Sequence, residues 1–203
     1  MWVSSDGFKK DSTYWTDDEV MLLGWVLTDG HYIKQKSKYG IEYSSGRVGV
    51  TQTKIENLGR ITGLFSRLGD YTYRTQTNAQ GGVQHVWVTH CPAAYRIRDL
   101  APDKTLTSSL LMSMSSRQME LLYQTMLLGD GCWDSQAGRY RKFVAGTESR
   151  ANAFLMLCAL IGQPARAIER NYSNYAKKQY ASMGNIPNTK KCWLVELVKN
   201  KRA

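Results

Sequence analysis

Two aspartates carry the clearest chemistry in this chain. Asp29 closes the run Leu22-Leu23-Gly24-Trp25-Val26-Leu27-Thr28-Asp29-Gly30, and Asp130 closes Tyr123-Gln124-Thr125-Met126-Leu127-Leu128-Gly129-Asp130-Gly131. Two carboxylates brought to one place can bind a hard divalent cation through oxygen. They can also act as acid and base, as in glycoside hydrolysis, or make ordinary caps and ion pairs. A lone Asp-Gly would favour the last. Here the acid stands twice at the end of an apolar run, where a helix dipole is negative. That placement calls for a compensating positive charge, such as a metal ion.

The elements that must position these acids are legible. Val20 to Leu27 is apolar at every position except Gly24, the pattern of a helix buried on all sides and too short to cross a bilayer. Gly24 and Thr28, then Thr125 and Gly129, sit at i, i+4 and share a helix face. Small residues there let two backbones approach closely. Gly30 and Gly131 suit left-handed helix caps. The expectation is two helices side by side, each ending on an acid.

These residues resemble the paired motif of the LAGLIDADG homing endonucleases in the single-chain, two-motif form. The family's penultimate Asp falls on Asp29 and Asp130, and its small positions fall on Gly24, Thr28, Thr125 and Gly129. Met112-Ser113-Met114-Ser115-Ser116-Arg117-Gln118 resembles the approach to a second motif. Thr125 departs from the usual Gly or Ala, and Leu27 and Leu128 replace the motif's first Asp. The resemblance covers nearly the whole chain. It implies an α+β fold of two pseudo-symmetric αββαββ repeats, antiparallel sheets forming a DNA-binding saddle, and motif helices packed at the interface. It implies hydrolysis of both DNA strands across the minor groove, with 3′ overhangs, by Mg²⁺ or a similar divalent metal on Asp29 and Asp130. The carbonyls of Thr28 and Gly129 would add ligands. Gln52 resembles a family polar position near the metal. Aligning His85-Val86-Trp87-Val88 with Lys191-Cys192-Trp193-Leu194 makes His85 and Lys191 matching supporters of the water network; solvated strand residues are the plainer alternative.

The chain reads as a lead-in over 1–15, a first repeat over 16–100, a linker over 101–107 and a second repeat over 108–203. Thr16 and Glu19 form a capping box before the first motif helix, as do Ser115 and Gln118 before the second. Strands are expected over 31–38 and 47–53, with Gly40 and Ser44-Ser45-Gly46 turning between them. A helix is expected over 55–68, and strands over 71–77 and 83–89. A short helix at 93–100 follows. The second half repeats this order with strands near Trp133 and over 140–145, a helix over 150–161, and strands over 165–170 and 192–198. Phe65-Ser66-Arg67-Leu68-Gly69 parallels Cys158-Ala159-Leu160-Ile161-Gly162. Such duplication is the usual means of reading a roughly palindromic site.

The 203 residues carry a net charge of +10, which favours a polyanionic partner. Candidate DNA contacts are Lys34, Lys36, Lys38, Arg47, Lys54, Arg74 and Gln76 in the first half, and Arg139, Arg141, Lys142, Arg166 and Arg170 in the second. Strand alternation lets only about half of them face DNA. The stretch 171–189 mixes tyrosines and lysines as a long basic loop. Cys91, Cys132, Cys158 and Cys192 form no CxxC pair or zinc spacing, and Cys158 reads as core. With no signal peptide or membrane span, a monomer in a reducing, intracellular compartment is expected, and the sequence does not choose between organellar, bacterial and phage origin. Asn171-Tyr172-Ser173 is then a chance acceptor. The ends lack the Cys/Ser and His-Asn of intein splicing junctions. No Walker loop, Rossmann fingerprint or HExxH appears. Within the same fold the alternatives are a maturase acting on intron RNA and a non-catalytic DNA-binding regulator. Outside it stands an unrelated basic scaffold.

Overall fold

The computed structural model describes residues 14–36, 38–39, 42–79, 81–171 and 191–198. The lead-in before Tyr14, the turn at Gly40, the basic loop over 172–190, and the side chains of Lys36 and Lys191 lie outside the described set. Among the described residues, six helices and eight strands follow one another as α1 (Asp17–Thr28), β1 (Gly30–Lys36), β2 (Glu42–Gln52), α2 (Ile55–Leu68), β3 (Tyr71–Thr77), β4 (Val83–Thr89), α3 (Pro92–Leu100), α4 (Ser108–Met112), α5 (Ser116–Asp130), β5 (Gly131–Asp134), β6 (Arg139–Ala145), α6 (Glu148–Leu160), β7 (Ala165–Asn171) and β8 (Lys191–Leu197). This is an α+β order given twice. The strands form two four-stranded antiparallel sheets of the same topology, β1-β2-β4-β3 and β5-β6-β8-β7. No helix among the described residues is long and apolar enough to cross a membrane.

By packing, the chain divides between Gly129 and Asp130 into two compact units. The larger holds the first sheet with α1 to α5. Thr16 starts α1 by accepting from Glu19 N–H, while the Glu19 carboxylate accepts from Thr16 N–H. Val20, Leu22, Leu23, Trp25, Val26 and Leu27 are then all buried, each contributing roughly 1.5–3 kcal/mol. Ser115 and Gln118 start α5 by the same reciprocal bonds. The two helices meet without space to spare: a Cβ at Gly24 would stand 2.8 Å from Cβ and Cγ2 of Thr125. Arg117 pairs with Asp17 at the other end. On the sheet, Val48, Val50 and Trp87 face the helices, and Trp87 Nε1 donates to Thr62 of α2. Tyr32 is held by α3, its hydroxyl donating to Ala101 O at 2.6 Å. Burial pushes its pKa up to about 12.

The smaller unit packs α6 on the second sheet. Thr147 caps α6. Phe154 stacks on Phe143 at 3.9 Å between ring centroids, and Leu157 and Cys158 are buried beside it. Of the other cysteines, Cys91 is buried, Cys192 half-buried and Cys132 exposed.

Three expectations are corrected. Ser44-Ser45-Gly46 is not a turn but part of β2. Ser45 Oγ donates to Ile33 O, and Gly46, at φ 71°, lies against Tyr95, where a Cβ would stand 2.5 Å from the ring Cζ. Gly30 and Gly131 are not left-handed caps: they open β1 and β5 and lie outside the positive-φ set. Gly30 is needed for close approach instead, since a Cβ there would stand 2.5 Å from Val26 Cα. The repeat alignment also slips by two residues. Gly30 pairs with Val50, which pairs with Trp87. Gly131 pairs with Phe143, which pairs with Val195. Trp87 therefore matches Val195, His85 matches Trp193, and Lys191 matches Val83. The slip preserves the face, which is why alternation could not reveal it.

Candidate active site

Asp29 caps α1, its N–H donating to Trp25 O at 2.9 Å and its carbonyl accepting from Thr51 N–H at 3.0 Å. The end of the first motif helix is thereby sewn to β2. One residue further, Gln52 is buried at 3% exposure. Its Nε2 donates to Asp29 Oδ2 at 2.9 Å, and its Oε1 accepts from the N–H groups of Thr53 and Lys54, both at 2.9 Å. Those two donors settle which end of the amide faces Asp29. A neutral donor thus fixes the half-buried carboxylate. Thr28 Oγ1 turns back to Gly24 O. A Cβ at Gly129 would stand 2.6 Å from Thr28 Cβ and 2.9 Å from Asp29 Oδ2. The two glycines named for close approach, Gly24 and Gly129, are therefore required by it.

Lys54, expected as a phosphate contact, reaches the end of the second motif helix. Its ammonium donates to the last carbonyls of α5, Leu128 O at 3.1 Å and Gly129 O. Asn57 Nδ2 donates to Leu128 O at 3.0 Å. No basic residue occupies the last turn of α5 itself, so Lys54 supplies the positive charge that its dipole favours. The Gly129 carbonyl, expected as a metal ligand, accepts from that ammonium. Asn57 Oδ1 is buried and accepts no hydrogen bond from the described residues.

In the smaller unit, Asp130 is half-buried and Oδ2 accepts from Arg150 Nη2 at 3.2 Å. Arg150 is the third residue of α6, as Asn57 is of α2. Neither position stood out in the sequence; lining up the two helix starts would have paired them.

Among the described residues no three His, Cys, Asp or Glu side chains form a metal cage. One carboxylate per repeat fits a cation that keeps several waters and takes its remaining ligands from substrate phosphate. Asp29 and Asp130 suit that role.

The other expected residues distribute as follows. His85 pairs with Gln52 across the strands, and so shares the helix-covered face. Its Nδ1 hydrogen-bonds Tyr73 OH at 2.6 Å, and it stacks with Trp87. Arg47, Arg74 and Gln76 alternate onto the opposite, open face of the first sheet; Gln76 donates to Gln84 across the ladder. Lys34 is exposed beside a bulge in β1, Lys36 is in β1, and Lys38 lies 4.9 Å from the Tyr39 ring centroid. Lys142, Arg166 and Arg170 share the open face of the second sheet by register. Arg139 opens β6 opposite Asp134, and Arg141, in the bulge, bonds that aspartate at 2.8 Å. Lys191 opens β8 opposite Asn171.

No family model and no curated protein matches the sequence. Solved structures do match. A structure of the homing endonuclease I-DmoI in complex with DNA and Mn has a TM-score of 0.58 at 10% identity, over 90% of this chain and 89% of that one. The homing endonuclease I-WcaI bound to its DNA recognition sequence gives 0.53 at 12%, over 97% and 88%. The N-terminal LAGLIDADG domain of DUF199/WhiA gives 0.50 at 10%, over 89% and 77%. Other I-DmoI structures are in complex with DNA and Ca, or with target DNA in the presence of Mg. With its repeated sheet order, its close-packed motif helices and an acid ending each of them, the chain has the LAGLIDADG fold of the homing endonucleases.

Proposed function

We propose that this protein is a site-specific double-strand DNA endonuclease. It hydrolyses phosphodiester bonds with a divalent cation, Mg²⁺ under ordinary conditions, at a long pseudo-palindromic site, acting as a monomer. The observation that carries the reading is Asp29: a carboxylate at the end of a close-packed helix pair, oriented by the buried Gln52 and repeated at Asp130. The DNA-bound neighbours support duplex DNA as the partner.

Each carboxylate serves one strand. A divalent cation bound there would polarise phosphoryl oxygen and lower the pKa of a bound water. Gln52 holds Asp29 in place, and Lys54 and Asn57 fix the end of the second motif helix. Arg150 keeps the Asp130 carboxylate oriented until DNA arrives, then offers its guanidinium to a phosphate. The basic residues on the open sheet faces bind backbone and base edges in the major groove.

The test is cleavage selection from a randomised duplex library with Mg²⁺ or with EDTA, followed by sequencing of the ends. One long, partly palindromic site, cut to 3′ overhangs only with Mg²⁺, is expected. Asp29→Asn and Asp130→Asn should each abolish double-strand cleavage and retain binding. Full cleavage by either variant refutes the assignment, and binding to structured RNA without cleavage of any duplex moves the function to a maturase.

A further inference from the structure

The two sheets place matching rows of side chains on their open faces, each beginning two residues beyond its acid. In the first, His31 stands opposite Gly49, Gly49 opposite Val88, and Val88 opposite Thr72. In the second, Cys132 stands opposite Lys142, Lys142 opposite Glu196, and Glu196 opposite Arg166. Directly opposed residues of antiparallel strands share a face. Both rows lie one residue out of phase with the buried Val50–Trp87 and Phe143–Val195 pairs, so both point away from the helices.

The rows match in place and differ in chemistry. The first carries no fixed charge. The His31 imidazole occupies the space over Gly49, where a Cβ would stand 2.6 Å from Cε1, and Val88 and Thr72 present methyl groups. The second row is ionic. Nε and Nη2 of Arg166 both donate to Glu196 Oε2, at 2.9 and 2.7 Å. Glu196 thereby fixes one edge of the guanidinium and leaves the Nη1–Nη2 end to face outward. A planar fork held in this way matches O6 and N7 of guanine, whereas methyl groups match the C5 methyl of thymine.

We infer that these rows make the two half-sites unequal at one matched base pair: the row of His31, Val88 and Thr72 selects A·T through the thymine methyl, and Arg166, positioned by Glu196, selects G·C. The inference rests on the proposed placement of the open sheet faces on DNA. It is tested on the full chain by sequencing duplexes retained from a randomised library in EDTA, which reads recognition without cleavage. The wild type should retain A·T at this step in one half and G·C in the other. Arg166→Gln should exchange guanine for adenine there, a change of roughly 5- to 150-fold, with every other position unaltered. Glu196→Gln should weaken the same preference at the same step alone. The same base pair in both halves, an even loss of binding to all sequences by Arg166→Gln, or no duplex retained would each overturn the inference. An intact retention profile with no cleavage on adding Mg²⁺ would instead sink the nuclease assignment and leave the inference standing.

Discussion

Replacing Gly24 with alanine tests the helix pair directly. Alanine normally stabilises a helix interior relative to glycine by roughly 0.5–1 kcal/mol. Here the new Cβ would stand 2.8 Å from both Cβ and Cγ2 of Thr125, about 1 Å inside the usual carbon–carbon separation. Thr125 has little freedom to retreat. It is buried at 4% exposure, its hydroxyl donates to Leu121 O at 2.8 Å, and its branched Cβ restricts χ1. Overpacking of this kind costs about 1–3 kcal/mol. Gly24→Ala should therefore destabilise by a net ~1–2 kcal/mol. Thr125→Gly removes both clashing carbons, so the double variant should recover most of the overpacking cost. A favourable coupling of about 1–2 kcal/mol is expected in the double-mutant cycle. Urea unfolding followed by the fluorescence of Trp25, on the same helix, would measure it. A stabilised Gly24→Ala variant, with coupling under about 0.3 kcal/mol, would show that these helices do not meet at Gly24.

Lys54→Met should cost about 1–2 kcal/mol in the same assay, since it removes the cation from the C-terminal carbonyls of α5; an unchanged midpoint would show the contact to be idle. Gln52→Glu keeps an acceptor for Thr53 and Lys54 but sets a second carboxylate against Asp29. The fold should hold while the acid limb of the cleavage–pH profile moves to higher pH, and an unmoved limb would separate Gln52 from the reaction. The Arg117 guanidinium holds Asp17 below its ordinary value of 3.8, its hydrogen bond outweighing partial desolvation. For a depressed carboxylate the contribution is present above the unfolded value and lost as pH falls through the folded one. Arg117→Gln should thus lower the midpoint slightly at neutral pH, by under about 1 kcal/mol for so exposed a pair. The difference should vanish once the pH is well below 3.8.

Much of this molecule was legible locally, and what was missed is of one kind. Both capping boxes are sequence-adjacent chemistry and stand as read from Thr16–Glu19 and Ser115–Gln118. The small residues at 24, 28, 125 and 129 pointed to close approach, because a missing Cβ has a direct steric meaning. Misreadings arose where a residue's purpose lies far along the chain. Gly46 looked like a turn because the Tyr95 ring it accommodates is remote in sequence. The reach of Lys54 to Leu128 and Gly129 was hidden because those carbonyls are in the other repeat's motif helix. Two tryptophans aligned the repeats two residues out of step, and only the ladder register separates Trp193 from Val195.

The grip of Lys54 and Asn57 on Leu128 and Gly129 also says where this protein can be taken apart. A split-reporter or chimera cut within 101–107 would follow the sequence repeat, yet it would strip α5 from α1 and leave two apolar helices facing water. A break in the exposed hairpin tip around Gln136 and Ala137, beyond α5 and between β5 and β6, keeps the helix pair and its lysine clasp on one fragment. Fragments divided there should reassemble where those divided at the linker aggregate. Half-exchanges between proteins of this fold should likewise carry the second motif helix with the first repeat.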